Sequence, residues 1–147
     1  MDERAPDRND VPAGWTPVFQ AELSGLAAPQ QARWMIREQL SGTAGVPFLR
    51  DIMLATSELV TNAIRYAPGP CRISMSRLPG SARIRIGVSD TNRRFPKPIA
   101  PTDPLMNGRG LLIVDTVASA WGTRLVDASE GKWIKEVWFE MSPDERS

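Results

Sequence analysis

The stretch CRISMSRLPGSARIRIGVSD, residues 71–90, decides how the rest of the chain must fold. Its first part alternates, with Cys71, Ile73 and Met75 on one side and Arg72, Ser74 and Ser76 on the other. Its last part alternates too, with Ile84, Ile86 and Val88 opposite Arg83 and Arg85. A period of two marks a strand whose two faces meet different surroundings. LPGS, residues 78–81, lies between them and carries a turn-forming Pro-Gly pair. The segment reads as a β-hairpin, and its alternation predicts one covered face and one face in water.

The covered face needs a partner layer, and the preceding sequence supplies it. Pro47 opens a long helix that runs to about Tyr66 and stops at APGP, residues 67–70. At about 100° per residue, Ile52, Ala55, Leu59, Val60, Ala63 and Ile64 cover one broad apolar sector. A second helix is predicted in LAAPQQARWMIREQL, residues 26–40, with Pro29 in its first turn. Ala32, Met35, Ile36 and Leu40 form its apolar face, and SGTAG breaks it. WTPVFQAEL, residues 15–23, predicts a first strand.

Downstream, TNRRFPKPIAPTDPLMN, residues 91–107, has four prolines and no clean period. A loop of that length inside a domain is uncommon and often functional. GRG, residues 108–110, leads into a helix over LLIVDTVASA, residues 111–120. Two last strands follow, GTRLV at 122–126 and KWIKEVWFEM at 132–141. Trp34, Trp121, Trp133 and Trp138 are assigned to core or sheet. The order predicts an α+β two-layer sandwich, with a mixed, mostly antiparallel sheet and helices packed on one face. One domain is expected over residues 15–141, between a mobile tail at 1–14 and a loose tail at 142–147.

Composition narrows the chemistry. A chain of 147 residues with 41% hydrophobic content suits one packed core. A net charge of +1 without charge blocks argues against a nucleic-acid partner. Cys71 is the only cysteine, which excludes an intrachain disulfide and a thiolate zinc cluster. The chain has no histidine, which excludes Ser-His-Asp and Cys-His catalysis and any phosphohistidine within it. The opening MDERAPDRND lacks the apolar core of a signal peptide. No apolar run approaches the roughly 20 residues that span a bilayer. These features predict a soluble cytoplasmic protein with no membrane association.

Three places could carry chemistry. In the long helix, Asp51, Glu58, Asn62 and Arg65 form a narrow polar stripe, and Glu58 and Asn62 are one turn apart. Carboxylate and amide oxygens are hard ligands suited to Mg²⁺, which leaves its other positions to water and phosphates. A Glu there could also take a proton from an attacking group. The same spacing suits a solvated face with Glu58 near Arg65. Asp90 ends the IRIGVS run, where its carboxylate could accept from an exocyclic amine such as adenine's or simply form a turn. Gly108 and Gly110 flank Arg109 before a helix, where free N–H groups favour an anion, although glycines also make ordinary helix entries.

SELVTNAIRYA, IGVSD and GRGLLIVDTVASAWG, starting at residues 57, 86 and 108, resemble the N, G1 and G2 boxes of the GHKL (Bergerat-fold) ATP-binding superfamily. KEVWFEM, from 135, resembles the closing strand of its small stand-alone bacterial members. Those are the anti-sigma-factor-like serine/threonine kinases abundant in actinobacteria. The resemblance covers roughly residues 15–141. It implies ATP and Mg²⁺ as cofactors, Glu58 as catalytic acid, Asn62 as Mg²⁺ ligand and Asp90 as the adenine-reading acid. It implies nucleotide contacts from Asn92, Gly108, Arg109, Gly110 and Leu111. It further implies a STAS-domain anti-anti-sigma factor, a sigma factor or both as partners, and a homodimer by analogy.

The chain departs from that pattern in the G1 box. D-x-G-x-G is expected, and DTNRR stands there, with Asn92 and Arg94 in place of glycines. A threonine often found near adenine in the last strand appears as Glu136. Arg93, Arg94, Lys97 and Arg109 could offset these changes by attracting triphosphate, or be ordinary solvated charges. The resemblance therefore implies a protein kinase, a non-catalytic partner-switching module with weak nucleotide binding, or the ATP-binding half of a histidine kinase whose phosphoacceptor lies on another chain.

Overall fold

In chain order the elements are β1 (Thr16–Leu23), α1 (Ala28–Leu40), α2 (Val46–Tyr66), β2 (Cys71–Arg77), β3 (Ile84–Asp90), α3 (Arg109–Val117), β4 (Ala120–Leu125) and β5 (Lys135–Met141). They are seen in a computed structural model that describes residues 13–42, 45–66, 69–91, 109–126 and 131–143. The residues expected as terminal tails fall almost wholly outside these limits, as does the proline-rich loop from Asn92 onward. The five strands form one sheet in the order β1-β2-β3-β5-β4. Each described pairing is antiparallel. The α+β sandwich expected from the sequence is the one observed.

The hairpin at residues 71–90 closes as its turn chemistry dictates. Pro79 precedes Gly80, whose φ is +79°, and Ser81 N donates to Leu78 O at 3.1 Å. Proline fixes the first corner and glycine alone takes the second without strain, which is the type II signature. The inner side chains Cys71, Ile73, Met75, Ile84, Ile86 and Val88 then face the helices, and all are buried.

That layer is built from two apolar helix faces. On α1, Ala28, Ala32, Ile36 and Leu40 recur every fourth residue and are buried, while Met35 is only half-buried. Trp34 points the other way and is 58% exposed, so it is neither a core nor a sheet residue. It lies about 200° around the helix from both Ala32 and Ile36. On α2, Phe48, Ile52, Ala55, Leu59, Val60 and Ala63 are buried. Thr56 lies inside this arc and is satisfied locally, its Oγ1 donating to Ile52 O at 2.7 Å. The core joins both helices to the inner face of the sheet, with Leu111 and Val114 of α3 and Phe139 and Met141 of β5.

The second face of the hairpin does not meet water as its alternation predicted. Arg72, Ser74, Ser76, Arg85 and Ser89 are all buried. The polar side chains cover one another. Arg72 donates to Ser89 Oγ at 3.1 Å, and Arg85 donates to Glu140 Oε2 at 3.1 Å. The Arg85 guanidinium sits 4.1 Å from the Trp138 ring centroid, and Arg72 lies over Trp133. Arg124 Nε donates to Glu136 Oε1 at 2.9 Å, and Arg83 Nε to Glu140 Oε1 at 3.0 Å. Long charged side chains thus shield the sheet with their stems and planes. Burial pushes the Arg85 pKa down from its usual value, against the pull of Glu136 and Glu140.

Several boundaries differ from the sequence reading, two of them for a visible reason. The helix over 111–120 ends at Val117. Ala118 N closes the last turn on Val114 O, and Ser119 N already donates to Glu140 O at 2.8 Å. The sheet bond therefore wins over three more residues of good helix propensity. The last strand starts at Lys135 rather than Lys132, while Lys132 reaches across to Glu22 Oε2 at 3.1 Å.

Candidate nucleotide site

The polar stripe of α2 lies at the margin of its packed arc. Glu58 and Asn62 are both half-buried, as is Asp51, whereas Arg65 is exposed. On one side of the pair Ala55 and Leu59 belong to the core, and on the other Leu54 is exposed. The pair is therefore neither fully solvated nor sealed. It combines one carboxylate with one amide oxygen, a donor set that suits an ion bound mainly by phosphates and water. Among the described residues no group of three or more His, Cys, Asp or Glu could hold a metal ion unaided.

Asp90 is the last residue of β3 and points to the helix side of the sheet, in line with Ile86 and Val88. Its main chain is anchored, with Asp90 O accepting from Ile134 N at 2.8 Å. The residue directly opposite is Lys135, and Lys135 Nζ lies 3.2 Å from Asp90 Oδ1. Asp90 is 5% exposed and Lys135 4%. The sequence reading missed this lysine. Alternation along β5 would have put Lys135 on the face of Val137, Phe139 and Met141, but only the β3–β5 register brings it to Asp90.

The same register corrects the reading of Glu136. The resemblance placed it near adenine. It is instead paired with Ser89, on the face of the sheet opposite to Asp90. There its carboxylate is gripped by Arg124 and lies across Gly87, in the space a β-carbon would fill.

The glycine-rich segment enters α3, whose first residue is Arg109. Gly110 and Leu111 occupy the first turn, where backbone N–H groups have no partner within the helix. Leu111 is buried in the core, so its side chain is no ligand and only its main chain can face one. Gly108 and Asn92 lie outside the described residues, as do Arg93, Arg94 and Lys97. The helix α2 packs against both β3 and α3, so the elements carrying the three motifs are neighbours. Near Asp90, the Cys71 thiol is pushed up to about 11, chiefly by burial and secondly by the Asp90 charge.

The histidine kinase-, DNA gyrase B-, and HSP90-like ATPase family matches residues 49–145. That span takes in nearly all of α2 and every element after it. A search of curated proteins gives no match. Domains of the matching family characteristically bind ATP with Mg²⁺, and the oxygen donors of α2 and the first-turn N–H groups of α3 suit that ligand. The chain belongs to the histidine kinase-, DNA gyrase B-, and HSP90-like ATPase family.

Proposed function

We propose that the protein is an ATP-binding regulator of the anti-sigma serine/threonine kinase type. It transfers the γ-phosphoryl group of MgATP to a serine or threonine of a STAS-domain anti-anti-sigma partner, sequesters a sigma factor, or does both. The observation that carries this reading is the half-buried Glu58–Asn62 pair, on a helix packed against both the Asp90 strand and the α3 start. Glu58 accepts the proton of the attacking hydroxyl, whose oxygen bonds to the γ-phosphorus as ADP leaves. Asn62 is a ligand for Mg²⁺, which when bound neutralises phosphate charge. Asp90 accepts from the adenine amine. Phosphate contacts are assigned to main-chain groups of Gly108, Arg109, Gly110 and Leu111, and a further nucleotide contact to Asn92.

Transfer of the γ-phosphoryl group to a STAS protein, compared between wild type and Glu58→Ala, tests this. The reading expects transfer lost and ATP binding kept. Undiminished transfer removes Glu58 from the role. Among the described residues no helix is long and apolar enough to cross a membrane, and a cytoplasmic location accords with the proposed partners.

The altered G1 segment favours a second reading. Asn92 and Arg94 stand where the family pattern has glycines. A non-catalytic module that holds its partner by its surface would tolerate them. Partner affinity indifferent to MgATP would select this reading.

A further inference from the structure

We propose that Lys135 is a second base-reading residue, which recognises adenine together with Asp90. The proposal rests on the nucleotide reading above. Other residues of β5 on the helix side, Val137, Phe139 and Met141, are apolar and buried. Lys135 interrupts that line at the end nearest Asp90, with its ammonium 3.2 Å from Oδ1. Lysines this buried are rare unless paired. A buried ion pair is often no more stabilising than well-packed apolar residues of the same volume, so stability alone gives little reason for it.

Recognition does. A carboxylate only accepts hydrogen bonds, and an ammonium only donates them. Side by side on the face that packs under α2, they offer one acceptor next to one donor. The Watson–Crick edge of adenine offers the complement, with the N6 amino group as donor and N1 as neighbouring acceptor. Asp90 accepts from N6, and Lys135 donates to N1. A single carboxylate would read only the amine. The pair reads both atoms, and it keeps the base anchored where the G1 segment lacks its glycines.

Titration of the folded wild-type protein with ATP and with 1-deaza-ATP tests this. The analogue keeps the amine and replaces N1 by C–H. One hydrogen bond from a charged donor corresponds to a preference for ATP of about tenfold. In Lys135→Met, ATP affinity is expected to fall to that of 1-deaza-ATP, and the preference to vanish. Equal affinities in the wild type overturn the proposal, and that comparison needs no variant. Tighter ATP binding by Lys135→Met overturns it as well, because the ammonium would then compete with the base. If neither nucleotide binds, the nucleotide reading itself falls and this proposal falls with it. If both bind equally, only the role of Lys135 is lost.

Discussion

Lys135 and Asp90 face each other across the β3–β5 register with Nζ 3.2 Å from Oδ1, and both are buried. Each charge is offset by the other at hydrogen-bond distance. Asp90→Ala should take the carboxylate from a buried ammonium and cost about 3–5 kcal/mol in urea unfolding at neutral pH. Asp90→Ala combined with Lys135→Met should recover most of that loss. A single variant within about 1 kcal/mol of wild type would show that the pair is solvated.

The outer face of the sheet gives a second prediction. A β-carbon on Gly87 would run into the Glu136 carboxylate and lie 3.1 Å from Ser74 Oγ. Glu136 cannot easily move, because Arg124 Nε holds it at 2.9 Å and Arg85 lies at 3.7 Å. Gly87→Ala should therefore cost about 1–3 kcal/mol. In a Glu136→Ala background the same change should cost much less. An equal cost in both backgrounds would assign the effect to the backbone of β3 instead.

Cys71 predicts an alkaline loss of stability. The native thiol holds its proton up to about pH 11, whereas an unfolded cysteine ionises near its ordinary value of about 8.5. A raised native pKa favours the fold below the unfolded value, and the advantage drains away as pH climbs from about 8.5 to about 11. The loss is on the order of 2–3 kcal/mol. Cys71→Ala should be spared it, so unfolding of the two proteins at pH 8 and pH 11 isolates the thiol. Identical pH profiles would contradict this account. Iodoacetamide should leave native Cys71 unlabelled at pH 7.5.

Asn62 separates function from folding. Asparagine is a poorer helix former than alanine by several tenths of a kcal/mol, and here it is only half-buried. Asn62→Ala should leave the melting temperature unchanged or raise it slightly while removing Mg²⁺-dependent ATP binding. A marked fall in melting temperature would mean that Asn62 is a structural residue.

The sequence made much of this legible, for reasons visible in particular residues. Apolar spacing on α2 and strict alternation at 71–77 and 84–90 are local signals, and both elements lie where those signals put them. Glu58 and Asn62 could be linked by helical spacing alone. The exposure of the arginine face could not be read that way, because Arg85 is covered by Trp138 and Glu140 from a strand some fifty residues later. Nor could the partner of Asp90, which depends on register with β5. Trp34 is exposed rather than core because its angle on α1 turns it away from Ala32 and Ile36.

The proposed function requires nucleotide and Mg²⁺ to sit over the stripe of α2. Calorimetric titration with ATP, with and without Mg²⁺, in wild type and Asn62→Ala, tests it most directly. Micromolar, Mg²⁺-dependent binding that the variant loses is expected. No binding up to millimolar ATP, or equal binding by Asn62→Ala, would contradict it.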